Sequence, residues 1–282
     1  MIYLFDKGYS SSTLNSARSA LSFFVGNSSL DLANDPTVLK LFKYFYRLRP
    51  KKAKYVVYWP VSNLLNFLKS LYPIETLSLK NLTLKTLALV ALSSSDRGQT
   101  IHKMDINKMH LGENSLTFVI SNRLKNTRRV LKPKIIKCPA TPDPALSVIA
   151  HVKHYMEVTS SFRRPEDSQL FLSWATKKPV SCPTLARWLK SVLQAAGIDT
   201  GVFSAHSYRG ASLSSAYAKG VSLTEIVRAG DWSSADTFLT HYFGHSVDTP
   251  VGQIILSQPP PSSGMHGILH DSLFYPNLIT SI

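Results

Sequence analysis

His206 and Arg209 stand three positions apart in AHSYRGASLSS, residues 205–215. On a helix such a pair shares one face. Near a helix N-terminus the free backbone N–H groups and the dipole already favour an anion, so the pair suits a phosphate. Arg97, in SSSDRGQT just after an apolar helical stretch, adds a second guanidinium in a helix-end turn that can aim a charged side chain into a cleft. Two guanidinium forks can clamp a phosphodiester from two sides. They meet, with paired directional hydrogen bonds, the charge that a phosphoryl transition state spreads over its non-bridging oxygens. Tyr242, thirty-three residues after Arg209, offers a hydroxyl nucleophile. A free phenol has a pKa of about 10, so it needs a base or neighbouring cations to react near neutrality, and His206 can be that base. A departing oxygen needs a proton, which Lys125 in SNRLKNTRR can deliver; Arg128, Arg129 and Lys132 share its hairpin.

These residues need elements to position them. SSTLNSARSALSFFVG reads as a helix with Leu14, Ala17, Leu21 and Phe24 on one face, ending at Gly26. DPTVLKLFKYFYRLRP opens on an Asp-Pro helix start and stops at Pro50, and a third helix runs between Pro60 and Pro73. YPIETLSLKN, residues 72–81, reads as the linker after this helical module. LTLKTLALVALSSS is then a strongly apolar helix delivering Arg97, and the pattern changes to period two in INKMHL, SLTFVI and VLKPKIIKCP, three short antiparallel strands. Helices return in DPALSVIAHVKHYMEV, CPTLARWLKSVLQAAG, AHSYRGASLSSAYAKG, SLTEIVRAG and SADTFLTHYF, most with Ser, Asp or Pro near the start. The predicted fold is mainly α with a small antiparallel β-sheet: a helical domain over 1–74, a catalytic domain over 75–250, and a Pro- and Ser-rich arm over 251–282.

Composition narrows the partners. With 282 residues, 44% hydrophobic and 17% charged, the chain has ample material for a folded core. No apolar run approaches the roughly 20 residues of a membrane span, and MIYLFDKGYS lacks the order of a secretory signal, so no membrane or export is expected. The formal charge is +15 and unevenly placed: residues 1–74 hold ten Lys or Arg against three acids, seven basic residues lie between Glu113 and Asp143, and none follows Arg228. Concentrated positive charge of this kind points to nucleic acid. Cys138 and Cys182 are the only cysteines, which excludes a disulfide framework. His241 and His245, like His151 and His154, stand at helical spacing but lack a third ligand, so no metal is expected.

HSYRG followed by AGDWSSADTFLTHYF, with Trp232 ten residues before Tyr242, resembles the C-terminal signature of the tyrosine recombinases. Arg97, Lys125, His206, Arg209, Trp232 and Tyr242 fall in that family's order of Arg, hairpin Lys, His-x-x-Arg, His or Trp, and Tyr. The wording of WPVSNLLNFL, LTLKTLALVALSSSDRGQTIHKMD and DWSSADTFLTHYF is most similar to the recombinases of DIRS-type retrotransposons and Cryptons. The resemblance implies a core-binding domain followed by a catalytic domain, and DNA strand cleavage and rejoining through a 3′-phosphotyrosyl intermediate without metal, nucleotide or other cofactor. It further implies a homotetramer on two DNA duplexes, a mobile-element origin and a nuclear location. Arg97 and Arg209 would hold the scissile phosphate, Lys125 would protonate the 5′-oxygen, and Trp232 would pack beside or hydrogen-bond to the phosphate. The family's acidic residue three positions after the first arginine is Thr100 here, with Gln99 or Asp105 as the available substitute. Two rival readings are a catalytically decayed or domesticated DNA-binding protein and a type IB topoisomerase-like enzyme.

Overall fold

A computed structural model describes residues 1–25, 32, 34–50, 55, 57–121 and 133–243, all within one compact unit, Met1–His245. The expected arm over 251–282 lies outside the described residues.

The chain opens with α1 (Ile2–Asp6), α2 (Ser11–Val25) and α3 (Pro36–Leu48). The Asp-Pro start of α3 works as its chemistry dictates: the Asp35 carboxylate accepts the Val38 N–H at 2.9 Å, and Pro36 occupies the first helical position, where no N–H is missed. These helices share a small aromatic cluster of Phe5, Leu14, Phe42 and Phe45, with the Phe5 and Phe45 rings stacked at 4.2 Å and the Arg49 guanidinium 3.7 Å over Phe5. The expected apolar stripe of α2 is not buried along its length: Leu14 is enclosed, while Leu21 and Phe24 are 46% and 79% exposed. The cluster reaches only the first half of the helix.

α4 (Val61–Ser70) sends Leu64 and Leu68, one turn apart, into a second and larger core together with Trp59. At its centre is α5 (Leu79–Ser94), capped by Ser78, whose hydroxyl accepts the Asn81 N–H at 3.3 Å. α5 is apolar nearly all round and, apart from the half-buried Leu84, buried from Leu82 to Ala91, because its neighbours cover most of its surface. Even Lys85 is enclosed there, its ammonium donating to the Leu71 carbonyl at 2.7 Å. The short α6 (Gly98–His102) follows.

The sheet has the order β1 (Met109–Leu111), β2 (Ser115–Ile120), β3 (Lys134–Pro139), antiparallel throughout, with Phe118 paired to Met109 and Ile136. Leu116, Phe118 and Ile120 of β2 and Ile136 and Cys138 of β3 point to the core, giving the period-two pattern. The first strand is shorter than INKMHL suggests, because the Asp105 carboxylate accepts the Asn107 N–H at 2.9 Å and winds 106–108 into a 3₁₀ turn.

The remaining helices are α7 (Val148–Ser160), α8 (Cys182–Ala195), α9 (Ser207–Ala218), α10 (Leu223–Ala229) and α11 (Ala235–His241). Ser147 and Ser181 cap α7 and α8, and Ser222 with Glu225 forms a reciprocal capping box on α10. A third cluster of Leu213, Ile226 and Phe238 ties α9, α10 and α11 together. No helix among the described residues is long and apolar enough to cross a membrane.

Candidate active site

α5 ends at Ser95, which adopts the left-handed conformation (φ 51°) and turns the chain sharply. This turn sets Asp96 and Arg97 at the rim of a cavity of about 490 Å³, also lined by Gln99, Cys182, His206 and Tyr242. His206 is the N-cap of α9, and Arg209 lies in its first turn. Arg209 is 1% exposed, a charge held almost wholly inside the protein. Its Nη1 donates to the Ser95 carbonyl at 2.9 Å and its Nη2 to the Gly230 carbonyl, while Nε is buried without a hydrogen-bond partner. Burial, then the neighbouring Arg97 guanidinium, push the Arg209 pKa below its ordinary value.

The last two helices bring the aromatic groups. Trp232 follows the tight turn at Gly230 and Asp231 (φ 47°), where a β-carbon on Gly230 would fall 2.2 Å from the Trp232 ring. Tyr242 caps the C-terminus of α11, its N–H bonded to the Phe238 carbonyl at 2.8 Å and its own carbonyl accepting the Ser214 hydroxyl at 2.5 Å. The Trp232 and Tyr242 rings lie 4.7 Å apart, and the Arg209 guanidinium sits 4.5 Å from the first and 5.8 Å from the second. The Tyr242 hydroxyl is 3.1 Å from His206 Nε2. With the imidazole proton on Nδ1, Nε2 accepts the phenolic hydrogen, the arrangement a base needs.

Of the six residues singled out from the sequence, Arg97, His206 and Tyr242 line one cavity, and Arg209 and Trp232 pack against Tyr242 behind it. Lys125, with Arg128, Arg129 and Lys132, lies outside the described residues. Of the same basic stretch, Lys134 opens β3 and pairs with Asp96 at 2.5 Å. Asp96 was not anticipated. Of the positions considered after Arg97, Thr100 is buried in α6, Asp105 turns to its own backbone at Asn107, and Gln99 lines the cavity beside Asp96. Burial raises the Asp96 pKa, opposed by Lys134, Arg209 and Arg97 in turn. His151 and His154 stay apart from the cavity: His151 Nδ1 meets the Ser147 carbonyl at 2.6 Å, and His154 faces Glu157 at 3.7 Å.

Comparison with solved structures places this architecture. XerA recombinase matches with a TM-score of 0.52 at 14% identity, covering 87% of this chain and 81% of its own. The Tn1549 transposon integrase in complex with circular intermediate DNA matches with a TM-score of 0.56 at 10% identity, over 90% and 82%. The chain has the tyrosine-recombinase fold. The XerH site-specific recombinase, in its post-cleavage complex with a palindromic difH substrate, shares this fold with a TM-score of 0.54 at 15% identity, over 88% of this chain and 72% of that one. No protein-family model matches the sequence, and no curated protein matches it. At this divergence the tyrosine-recombinase fold is carried by burial pattern and topology rather than by shared wording.

Proposed function

We propose that the chain is a tyrosine recombinase that cleaves and rejoins duplex DNA, with Tyr242 as nucleophile. The observation that carries this reading is the 3.1 Å contact between the Tyr242 hydroxyl and His206 Nε2 beside the buried Arg209 guanidinium. His206 takes the phenolic proton, the Tyr242 oxygen attacks the phosphorus, and the bond to the 5′-oxygen breaks, leaving a 3′-phosphotyrosyl enzyme and a 5′-hydroxyl. Arg97 and Arg209 neutralise the non-bridging oxygens, Lys125 returns a proton to the 5′-oxygen, and Trp232 packs against the phosphate side of Arg209. Attack by the freed 5′-hydroxyl of another strand reverses the step without external energy.

In this reading residues 1–74 form the basic DNA-binding module and residues 75–250 the catalytic domain, with α4 sending Leu64 and Leu68 from the first into the core of the second. Four copies act on two duplexes, and the protein serves a DIRS- or Crypton-like mobile element in a nucleus. The test is incubation with a nicked, end-labelled duplex followed by denaturing electrophoresis. A protein-linked label supports the enzyme; DNA binding without any adduct would make the chain a binding module that no longer cuts.

A further inference from the structure

The segment 55–59 carries three aromatic residues, of which Tyr55 rests on the residues just ahead of α9 and Tyr58 and Trp59 on its first turn. The Tyr55 hydroxyl lies 3.0 Å from Ser204 Oγ, and its ring packs 5.2 Å from Phe203, just ahead of the helix. Trp59 Nε1 donates to Ser207 Oγ at 2.8 Å, and its ring meets Tyr208 edge-on at 5.5 Å. Between them Tyr58 lies on Gly210: a β-carbon there would fall 2.1 Å from its Cζ, 2.2 Å from Cε1 and 2.3 Å from its hydroxyl oxygen.

That glycine has no conformational reason to be one. It sits inside α9 with ordinary helical φ, where glycine costs about 1 kcal/mol relative to alanine. The space is what matters, and the Tyr58 ring fills it. Gly210 is four residues from His206, one turn along the same face of the helix that carries the residue touching Tyr242. Burial first, then Tyr242, then Tyr55 hold the Tyr58 phenol above its ordinary pKa, which keeps Tyr58 neutral.

We propose that Tyr58 is a positioning residue for strand cleavage: its ring, seated on Gly210, holds the first turn of α9 so that His206 stays against Tyr242. This rests on the reading of Tyr242 as nucleophile and His206 as its base. Displacing groups from reacting geometry by about 1 Å costs on the order of 100-fold in rate, so loss of the ring is expected to slow cleavage about 30-fold without touching any group that meets DNA.

The experiment measures single-turnover adduct formation on a nicked duplex at saturating protein, with DNA affinity measured in parallel, for the full chain and three variants. Tyr58→Ala is expected to cleave about 30-fold more slowly with affinity within about threefold of the parent. Tyr58→Phe keeps the ring and recovers most of the rate. Gly210→Ala drives the free end of the Tyr58 side chain off the helix and reproduces the Tyr58→Ala loss with Tyr58 still present. If Tyr58→Ala does not fold, the comparison of Gly210→Ala with Tyr58→Phe decides alone. Cleavage by Gly210→Ala or Tyr58→Ala within threefold of the parent overturns the proposal, as does a loss in affinity as large as the loss in rate. An adduct absent from the parent chain itself refutes the recombinase reading instead.

Discussion

Replacing Arg209 by lysine separates the two things this guanidinium does. Arginine has five N–H groups, and the fold commits one to the Ser95 carbonyl and one to the Gly230 carbonyl, while Nε is buried without a partner. A lysine at this 1% exposed position keeps the charge but cannot span both carbonyls with one nitrogen. At least one buried acceptor is stranded, which costs about 1–3 kcal/mol, and the flat contact over Trp232 weakens by about another 0.5–1 kcal/mol. Arg209→Lys should therefore lose about 1.5–4 kcal/mol in a urea unfolding curve. Its chemistry should suffer separately, because a point charge cannot present paired donors to the developing oxyanions; loss of one such donor slows reactions about 10²–10³-fold. DNA affinity, which depends on charge, should stay within about threefold. The assays are single-turnover adduct formation, fluorescence anisotropy and chemical denaturation on one preparation. Near-normal cleavage with the predicted loss of stability would reduce Arg209 to a strut between two carbonyls. Unchanged stability would refute the two-carbonyl geometry itself.

Three further outcomes follow from the same site and its surroundings. Tyr242→Phe should abolish the covalent adduct while changing DNA affinity little, since the ring that packs on Trp232 remains; an adduct from the purified variant would identify another nucleophile. DNA binding should weaken with salt with a log-log slope of about −0.9 per phosphate contacted, and cleavage should persist in chelator; a flat salt response would contradict the electrostatic footprint. His151 is buried and its pKa is pulled down to about 4 by that burial. It is neutral in the fold at pH 7, and below its unfolded pKa of about 6.5 the unfolded chain gains a proton that the folded one refuses. Stability contributed by this group is thus present above pH 6.5 and lost as pH falls towards 4, at up to about 1.4 kcal/mol per pH unit. In urea melts the stability of the parent relative to His151→Phe should fall as the pH is lowered through this window, and parallel curves would rule the effect out.

What the sequence made legible follows from how locally each signal acts. Ser181 and Ser222 each cap a helix within three residues of themselves, so the starts of α8 and α10 could be read directly, whereas α5 begins at Leu79, inside the stretch read as a linker, and α7 at Val148, after a 3₁₀ turn over 144–146 that the Asp-Pro start suggests is helix. The alternation in SLTFVI became the buried face of β2 for the same reason. The burial of α2 was read less well, because an amphipathic stripe says which face can be covered but not how far a covering cluster extends; Leu21 and Phe24 satisfy the pattern and stay exposed. α6 was missed because five residues make little more than one turn, too short for any periodicity to register. Tyr58 carried no local signal at all. Its partner Gly210 is 152 positions away, and only their juxtaposition explains either residue.

Asp96 is the instructive case, because it stands beside the one arginine whose support was in question. Pattern rules look three or four positions from Arg97, since adjacent residues in a helix or strand point apart. The left-handed Ser95 breaks both geometries, and the turn it makes lets Asp96 face inward to Lys134 while Arg97 still lines the cavity. A lysine 38 positions downstream, at the start of β3, could not be assigned to this carboxylate by spacing. The electrostatic consequence bears on the proposed reaction. Arg97, Arg209 and Lys134 bring three cations towards a largely buried place, where Asp96 pairs with Lys134. A phosphodiester carries one negative charge, and attack by a phenolate adds a second to the transition state. In the proposed reaction His206 becomes an imidazolium as it takes the phenolic proton, so positive charge grows beside the phosphate as its second negative charge develops, which is the condition under which binding energy lowers a barrier instead of only tightening the complex.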